Sequence, residues 1–306
     1  MNYELLVIGN GREAIDGAIA SARQGLRVAL VETKASDHEA AAIEVLRQAV
    51  NNLAKFGSTL MSELRDEVAR IGRCQRAADR AALESLGIDV FSGDVQFVAA
   101  NTVEVRTVEV RTGDDVNSIQ ADNVLVACGT KSARPVHIRF DGRFVVDVES
   151  LLTLDELPRS MIVVGAGETG LDYALLLGSL GVDVTVIDER ANAFDVCGGL
   201  MGDARLFEMQ SLDIAFRLGD EVIGVETRAD DRAAVRLASG KVFVAEAVLV
   251  CVGRVGETAA LNLEAAGVGL DERGRVWCDA NGGTWAPHIK AAGDVVGFRA
   301  TSALAG

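Results

Sequence analysis

The chain has 306 residues, of which 49% are hydrophobic, and a formal net charge of −15 from 30 basic and 45 acidic residues. This length is roughly twice the ~150 residues of an average domain, so two domains with separate hydrophobic cores are expected. The acidic balance argues against a nucleic acid or an anionic membrane as partner, because both require a basic surface. Nucleotide cofactors are compatible with it, since local backbone dipoles bind their phosphates.

The N-terminus has neither the basic segment nor the long apolar run of a signal peptide, and no apolar stretch reaches the ~20 residues that span a bilayer. The cysteines are scattered, with no CxxC or CxxxxC pair: Cys74, Cys128, Cys197, Cys251 and Cys278. This usage is typical of the reducing cytoplasm, which we predict as the location of the protein. Each cysteine is expected to be a small buried hydrophobe.

The chain opens with an apolar strand at residues 3–8, followed by GNGREA at residues 9–14, which fits the pattern G-x-G-x-x-A. A helix is predicted over residues 12–24. A second strand at residues 27–31 ends at Glu32. The order of strand, glycine turn, helix and strand is typical of a dinucleotide-binding βαβ unit.

Three further segments complete the first half of the chain. Apolar residues recur at helical spacing over residues 37–86, which predicts two helices or one helix broken near Gly57. Alternation over residues 94–122 predicts an antiparallel meander with a turn at residues 113–115. Residues 123–130 then predict a buried strand that ends in glycine.

The second half repeats this plan. Residues 161–164 are an apolar run, GAGETG follows at residues 165–170, and a helix leads to a strand at 182–187 that ends at Asp188. A hairpin with a Ser-Gly turn is predicted around residues 235–244. After it come a matching buried strand, residues 247–254, and a last strand, residues 289–294, with Asp294 at its end.

The spacing within the two copies is the same. From Gly9 to Glu32 is 23 positions, and from Gly165 to Asp188 is also 23. One glycine fingerprint is a weak signal, because glycine-rich turns are common. Two fingerprints at equal spacing, each with a strand before and a helix after, are a much stronger one. Two βαβ units without any ligand are the alternative interpretation.

Each position of the fingerprint has a chemical reason. The first glycine permits the tight turn, the second lets the backbone approach a pyrophosphate, and the third small residue lets helix pack on strand. The helix N-terminus presents N–H groups to the phosphates, and the acid ending the next strand accepts from ribose hydroxyls. In the first copy Glu13 adds a carboxylate near the expected pyrophosphate, which is unfavourable unless it points outward or Arg12 offsets it.

These motifs resemble the flavoprotein family of lipoamide dehydrogenase, glutathione reductase and the soluble Si-face-specific transhydrogenase. The similarity covers essentially the whole chain in order and is greatest to the transhydrogenase branch. Its most specific elements are residues 165–174, residues 252–254 (VGR) and residues 291–295 (AAGDV).

The resemblance implies an α/β fold with two Rossmann-like dinucleotide-binding domains of the three-layer type, the second inserted in the first. The implied segments are 1–157 for the first part of an FAD domain, 158–284 for an NAD(P) domain, and 285–306 for the return segment of the FAD domain. The implied FAD ligands are Gly9, Gly11, Ala14, Glu32, Gly129 and Asp294, and the implied nicotinamide-nucleotide ligands are Gly165, Gly167, Gly170, Asp188 and Gly253.

Asp188 also bears on the choice between NAD and NADP. A carboxylate at that position accepts from a ribose 2′-hydroxyl and repels a 2′-phosphate, so NAD is predicted and NADP is the less favoured nucleotide. Arg190, two residues on, softens that preference.

The sequence departs from the family pattern in three places. Residues 33–39, where the family has its CxxxxC pair, contain no cysteine, so disulfide reductase chemistry is excluded. The family lysine near the flavin has no clear counterpart, and its carboxylate partner corresponds to Asp172, a vestige or an exposed helix residue. The chain stops at residues 301–306, where the family begins its C-terminal interface domain, as a natural short form or as a fragment.

That interface domain supplies the homodimer contact and a catalytic His–Glu pair in the family, so the oligomeric state is left open here. The three histidines, His38, His137 and His288, are not expected to replace the pair. The sequence accordingly predicts no catalytic side chain and no metal site.

The leading hypothesis is an FAD-dependent oxidoreductase that moves hydride from NAD(P)H to flavin and on to an unidentified electron acceptor, for which a second nicotinamide nucleotide is one candidate. The alternative is a degenerate, non-catalytic dinucleotide-binding protein or a truncated fragment of such a flavoprotein. Glu13, the short loop after Glu32 and the missing interface domain motivate the alternative.

Overall fold

The computed structural model describes residues 2–33, 43–54, 60–99, 102–106, 116–192 and 199–300. Its helices are α1 (Arg12–Arg23), α2 (Ile43–Ala54), α3 (Met61–Ser85), α4 (Glu168–Ser179) and α5 (Gly199–Ser211). Its strands are β1 (Asn2–Ile8), β2 (Val28–Glu32), β3 (Asp89–Ser92), β4 (Asp94–Ala99), β5 (Thr102–Arg106), β6 (Val116–Val126), β7 (Thr130–Ser132), β8 (Val145–Val146), β9 (Ser160–Val164), β10 (Asp183–Asp188), β11 (Ala215–Leu218), β12 (Val222–Thr227), β13 (Ala233–Leu237), β14 (Val242–Ala245), β15 (Ala247–Val250), β16 (Arg254–Gly256), β17 (Val276–Asp279), β18 (Ile289–Ala291) and β19 (Val296–Ala300).

The chain divides into two compact units. The first consists of residues 1–39, 73–131 and 254–306, and the second of residues 40–72 and 132–253. Their boundaries do not coincide with the predicted segments 1–157, 158–284 and 285–306, and the assignment of a cofactor to each segment stays a prediction. None of the helices in the described part of the chain is long and apolar enough to cross a membrane.

The first unit is built on a sheet with the strand order β3-β2-β1-β6-β5-β4. One edge of β6 pairs with two strands: its first half pairs antiparallel with β5, and its second half pairs parallel with β18. Both faces of the sheet are covered: Leu6 and Ile8 belong to one hydrophobic cluster, and Val7 packs with Ala14 and Ala18 of α1 in another. This two-sided burial is why residues 5–8 of β1 are all apolar.

The second unit repeats the arrangement with the strand order β11-β10-β9-β15-β8. Met161 and Val163 of β9 lie in one cluster together with α4, and Ile162 and Val164 lie in the other with the antiparallel sheet β12-β13-β14. The parallel pairs β9–β10 and β9–β15 place the carboxyl ends of these strands at one edge. Ligands of open α/β sheets bind at that edge.

Most predicted elements are present with small shifts at their ends. The helix predicted over residues 12–24 is α1, and the helical pattern of residues 37–86 is α2 and α3. The meander predicted over residues 94–122 is β4, β5 and the start of β6. The predicted break near Gly57 and the turn at residues 113–115 lie outside the described residues.

Two predicted strands are divided in the structure. The strand predicted over residues 123–130 stops as β6 at Val126, and the chain turns at Gly129, whose φ is +72°, before β7. Residues 247–254 are divided in the same way near Gly253, whose φ is +122°. A positive φ interrupts an extended backbone at little cost only in glycine, so the apolar pattern alone overestimated both strands.

Candidate functional site

The first glycine turn is fixed by a close backbone approach at Gly9. Its N–H donates to the Val31 carbonyl at 2.9 Å, and the Ala127 N–H donates to the Ile8 carbonyl at 2.8 Å. A Cβ built on Gly9, whose φ is +137°, would lie 2.1 Å from the Ala127 carbonyl oxygen. Only glycine fits this position, because real Cβ atoms do not approach an oxygen so closely.

The second glycine turn makes the same contacts at the corresponding residues. The Gly165 N–H donates to the Ile187 carbonyl at 2.8 Å, and the Cys251 N–H donates to the Val164 carbonyl at 2.7 Å. A Cβ on Gly165, whose φ is +105°, would lie 2.3 Å from the Cys251 carbonyl oxygen. The repeat that the spacing of 23 positions predicts therefore extends to individual hydrogen bonds.

Neither of the helices that follow the glycine turns has its N-terminus capped by a side chain. Gly11 precedes α1 and Gly167 precedes α4, both with extended backbone and neither with a side-chain capping bond. A Cβ on Gly167 would have no heavy atom within 4 Å, whereas one on Gly170 would lie 1.9 Å from the Gly165 carbonyl oxygen. Gly170 thus serves helix–strand packing, and Gly167 keeps free the space that a phosphate needs near the first N–H groups of α4.

Ala14 of the first fingerprint and Gly170 of the second occupy equivalent positions, but the space for a side chain differs between them. Ala14 is fully buried on α1 and packs in the cluster on the α1 face of the first sheet. Its methyl group is tolerated there, so the first fingerprint ends in alanine and the second in glycine.

The acids at the ends of β2 and β10, Glu32 and Asp188, differ in their surroundings. Glu32 is half-buried, and its Oε2 accepts a hydrogen bond of 3.0 Å from the Ser92 hydroxyl. Asp188 is buried, and its Oδ2 accepts from the Ala166 N–H at 2.6 Å. Arg190 also donates to Asp188, through its guanidinium and its own N–H.

These contacts change the acidity of Asp188. Burial by itself raises its pKa, but the hydrogen bonds from Arg190 and from the Ala166 N–H outweigh burial and hold the pKa below the usual range. The carboxylate is therefore ionised at neutral pH. Its contribution to stability is present above the ordinary carboxyl pKa and is lost as the pH falls through the lowered value of the folded state.

The remaining predicted ligands lie just beyond the carboxyl ends of strands. The Glu257 N–H donates to the Gly129 carbonyl at 3.2 Å, and the Ala133 N–H donates to the Gly253 carbonyl at 2.9 Å. Asp294 is exposed in a 3₁₀ turn, Gly293–Val295, directly after β18 rather than at the end of the strand. The Asp294 carboxylate has no hydrogen-bond partner within the described ranges, which leaves it available to a ligand of the first unit.

Glu13 lies against this turn. A Cβ built on Gly293 would come within 3.0 Å of the Glu13 Cγ and 3.3 Å of its Oε2. Arg12 does not offset this charge: its guanidinium pairs with Asp16, one helical turn along α1, and with Asp79 of α3 at 3.2 Å. Of the two ways the sequence left open for Glu13, an ion pair with Arg12 is therefore not formed, because the Asp16 carboxylate at i+4 lies on the same helix face as Arg12. Glu13 itself is exposed.

One residue of the first turn was not singled out by the sequence. The amide oxygen of Asn10 is buried and has no hydrogen-bond partner among the described residues. A buried acceptor without a donor is costly, so a donor from a ligand or a water would stabilise it. The only sequence signal was a polar residue at a variable position of the fingerprint.

Asp172 is not the exposed helix residue that was one of its two interpretations. It is buried on α4 and pairs with Arg205 of α5 at 2.8 Å and with Arg47 of α2 at 3.3 Å. The carboxylate thus joins three helices of the second unit. A buried carboxylate with two cationic partners is a structural tie, and no lysine is needed to explain it.

The cysteines divide by exposure. Cys128, Cys251 and Cys278 are buried as predicted, whereas Cys74 is exposed on α3, contrary to the prediction, and Cys197 lies outside the described residues. Burial raises the pKa of the Cys128 thiol to about 12. No disulfide joins any two of the cysteines that the structure describes. Of the histidines, His137 is exposed, His288 is half-buried and His38 lies outside the described residues.

The fold and the repeated turns define a protein with two dinucleotide-binding units. The model of the family "Pyridine nucleotide-disulphide oxidoreductase" matches residues 3–305. The chain belongs to this family, whose members are FAD-dependent oxidoreductases that use NAD(P).

One curated relative is a soluble pyridine nucleotide transhydrogenase from Mycobacterium bovis. It is 34% identical in an alignment that covers 98% of this chain and 68% of the relative. Another soluble pyridine nucleotide transhydrogenase, from Pseudomonas aeruginosa, is 29% identical, with 99% of this chain and 68% of the relative covered.

The solved structures agree on the fold. The HOCl-induced flavoprotein disulfide reductase RclA from Escherichia coli superposes with a TM-score of 0.80 at 22% identity, covering 97% of this chain and 67% of that one. LpdA from Mycobacterium tuberculosis gives a TM-score of 0.74 at 21% identity, with 96% and 68% covered. At these identities the likeness establishes the α/β architecture, which was predicted from the sequence.

The two glycines of the second turn give a matched pair of variants. Gly165→Ala is expected to destabilise the protein by about 2–4 kcal/mol, because the methyl group meets a carbonyl oxygen at a positive φ. Gly167→Ala meets open space and is expected to cost at most about 1 kcal/mol. Urea unfolding compares the two, and equal losses of stability would contradict the geometry.

The Gly167→Ala variant, which is expected to stay folded, also tests nucleotide binding. The folded Gly167→Ala protein is expected to bind ADP-ribose roughly tenfold or more weakly, because the methyl group fills the space that the pyrophosphate needs. Calorimetric titration of wild type and variant measures this. Unchanged affinity would place the phosphates away from Gly167.

Cysteine reactivity tests the thiol environments. Iodoacetamide at pH 8 is expected to label Cys74 in the native protein, whereas Cys128 should react only after unfolding, because its raised pKa leaves almost no thiolate. Mass spectrometry of the labelled peptides distinguishes the two sites. Native labelling of Cys128 at the rate of Cys74 would show that Cys128 is accessible and ionised.

Proposed function

We propose that the protein passes hydride from NAD(P)H to bound FAD and on to an acceptor without a redox-active disulfide. The observation that carries the proposal is that two backbone hydrogen bonds and one close carbonyl approach recur at corresponding residues of both turns, since two dinucleotides require two such turns. The relatives named soluble pyridine nucleotide transhydrogenase favour a second nicotinamide nucleotide as the acceptor. FAD, when bound, supplies the redox centre that takes up and releases the hydride.

The first unit offers FAD a suitable set of contacts. Gly9 and Gly11 lie in the turn before α1, and Ala14 lies in the first turn of the helix, where N–H groups and the helix dipole favour a pyrophosphate. One carboxylate oxygen of Glu32 accepts from the Ser92 hydroxyl. The other oxygen has no partner in the described part of the chain and is available to accept from ribose hydroxyls. Asp294 is exposed and suited to accept from the hydroxyls of the ribitol chain.

The second unit would hold the nicotinamide nucleotide. Gly165 shapes the turn, Gly167 leaves room for the pyrophosphate, and Gly170 allows α4 to pack against the turn. Gly253 lies two residues after Cys251, whose carbonyl oxygen approaches Gly165 just beyond the end of β15. In this proposal the protein side chains bind and orient the nucleotide, and none of them acts as acid, base or nucleophile.

The chain's own cysteines support a route without thiols. The segment after Glu32, residues 33–42, contains no cysteine in the sequence. Cys128 adjoins Gly129 in the first unit, but its pKa of about 12 keeps it protonated. A protonated, buried thiol cannot attack a disulfide or relay electrons.

A visible absorption spectrum tests the whole proposal. The purified protein, or the protein reconstituted with FAD, is expected to show a flavin spectrum that bleaches when NADH or NADPH is added without oxygen. The colour should return when an oxidised nicotinamide analogue is added. A protein that binds neither FAD nor a nicotinamide nucleotide would refute the proposal.

Glu13 favours a second candidate, a non-catalytic dinucleotide-binding protein. Its side chain lies against Gly293, beside the turn where the pyrophosphate of the first unit would bind, and its charge would repel that group. This candidate predicts nucleotide binding by the second unit without flavin reduction. Steady NAD(P)H oxidation with a dye or a quinone by the flavin-loaded protein would exclude it.

The charge of Glu13 is directly testable. Glu13→Gln is expected to bind FAD roughly tenfold more tightly at low salt, because it removes a charge that repels the pyrophosphate. The control is Glu4→Gln, which removes the same charge at the opposite end of β1 and should leave FAD affinity unchanged. Fluorescence titration with FAD measures both, and equal effects of the two variants would rule out a local role for Glu13.

A further inference from the structure

The edge strand β8 of the second unit ends at a buried carboxylate. β8 pairs parallel with β15, and β15 pairs parallel with β9. Asp147 directly follows β8, as Gly165 directly follows β9. The carboxyl ends of the three strands therefore meet at one edge of the sheet, where open α/β sheets bind their ligands.

A backbone hydrogen bond ties the segment 132–134 to this edge. The Ala133 N–H donates to the Gly253 carbonyl at 2.9 Å. The Ser132 N–H donates to Oε1 of Glu149 at 3.0 Å. Arg134, the residue after Ala133, is thus placed between the end of β8 and Gly253, which is one of the predicted ligands of the nicotinamide nucleotide.

Asp147 holds the guanidinium of Arg134. Nε of Arg134 donates to Oδ2 of Asp147 at 2.6 Å, and Nη2 lies 2.6 Å from the same oxygen. Oδ1 accepts from the N–H of Ser150 at 2.9 Å and from its hydroxyl. Burial by itself raises the pKa of Asp147, but the hydrogen bonds from Ser150 and Arg134 outweigh burial and hold the pKa below the usual range. The carboxylate is therefore ionised at neutral pH and fixed through both oxygens.

The guanidinium itself is accessible. The side chain of Arg134 is 57% exposed, whereas that of Asp147 is 2% exposed. Cζ of Arg134 lies 5.0 Å from the centroid of the Phe140 ring, which supports one face of the guanidinium. Nη1 has no hydrogen-bond partner among the described residues. Arg134 therefore presents donors in a fixed orientation that an acceptor of a ligand can use.

We propose that Arg134, oriented by Asp147, binds the nicotinamide riboside half of the nucleotide and donates to the oxygens of its ribose and carboxamide. The pyrophosphate lies at Gly167, and this half of the ligand extends past Gly253 towards β8. Neighbouring strands are about 4.8 Å apart, so β8 lies about 10 Å from β9, a distance that a ribose and its attached ring can span. The inference rests on the proposed function of the second unit as the nicotinamide-nucleotide site.

The ion pair suits both redox states of the nicotinamide. The ribose oxygens and the carboxamide carbonyl can accept hydrogen bonds, and a guanidinium offers donors only. The oxidised ring carries a positive charge, which an isolated arginine would repel. The Asp147 carboxylate offsets the charge of Arg134, so the pair donates hydrogen bonds without a net charge against the ring. Asp147 is a positioning residue, because it acts through Arg134.

Equilibrium binding of NAD⁺ and ADP tests the inference without hydride transfer. ADP has the adenosine and the diphosphate but lacks the nicotinamide riboside. Calorimetric titration measures both ligands, and binding that Gly167→Ala weakens is assigned to the second unit. Arg134→Gln is expected to weaken NAD⁺ by about tenfold or more, the value of a hydrogen bond to a charged group. It should change the affinity for ADP by less than about threefold.

The matched control is Arg143→Gln. Arg143 is also exposed and lies over an aromatic ring, that of Phe144 at 4.6 Å, but it precedes β8 and so lies at the amino end of the strand. The variant removes the same charge and should leave the ratio of the two affinities unchanged. A reduction as large as that of Arg134→Gln would show a general effect of charge and would overturn the inference.

The positioning role is tested by Asp147→Asn, whose circular dichroism spectrum verifies that it folds. It should lower the affinity for NAD⁺ relative to ADP, because Arg134 loses its anionic partner. An unchanged ratio in the folded variant would contradict the role of Asp147. Since Arg134 is exposed, its own variant remains informative if Asp147→Asn is unstable.

The outcomes separate the inference from the proposed function. If both ligands bind and Arg134→Gln weakens them equally or not at all, Arg134 does not contact the nicotinamide riboside, and the proposed function stands. If neither ligand shows binding that Gly167→Ala weakens, the nucleotide site of the second unit is wrong as well.

Discussion

The close approach of a carbonyl oxygen to the first glycine of each turn determines the remaining geometry. Just beyond the ends of β6 and β15, the carbonyl oxygens of Ala127 and Cys251 lie 2.1 and 2.3 Å from where a Cβ would stand on Gly9 and Gly165. This contact forces the chain to leave the sheet at that residue, so the following helix starts beside the strand ends. The helix N-terminus, the open second glycine and the acid of the next strand then meet at one edge of the sheet.

The two copies share this constraint and differ in the charges placed around it. In the first unit, Glu13 lies in the first turn of α1 against Gly293, and Glu32 keeps an accessible carboxylate. In the second unit, Glu168 begins α4, and Asp188 is covered by Arg190. The two units therefore share a backbone geometry and differ in the charged groups around it, which is the basis for proposing a different dinucleotide in each.

The sequence predicted the fold well because the relevant signals are local. The apolar runs of β1 and β9, the glycine fingerprints and the 23-position spacing depend on residues close together in the chain. The strand ends at Gly129 and Gly253 were less predictable, because an apolar run does not report a positive φ.

The candidate site was predictable in its glycines but less so in its charged groups. Glu13 meets Gly293 from the far end of the sequence, and such a contact depends on the return of β18 to the first sheet. The tie of Asp172 to Arg47 and Arg205 likewise depends on the packing of three helices. Asp188 and Arg190 are close in the sequence, but the sequence does not show whether their side chains form an ion pair or point apart.

Under the proposed function, nucleotide binding in either unit would change existing charge contacts. A pyrophosphate at α1 would lie near the Glu13 carboxylate, and a ribose that bonds to Asp188 would have to replace Arg190 there. Glu13 and Arg190 are both exposed, so water can solvate each of them when it is displaced, and the cost of displacement stays small. The buried Asp188 also accepts from the Ala166 N–H, and this bond ties the end of β10 to the glycine turn independently of Arg190.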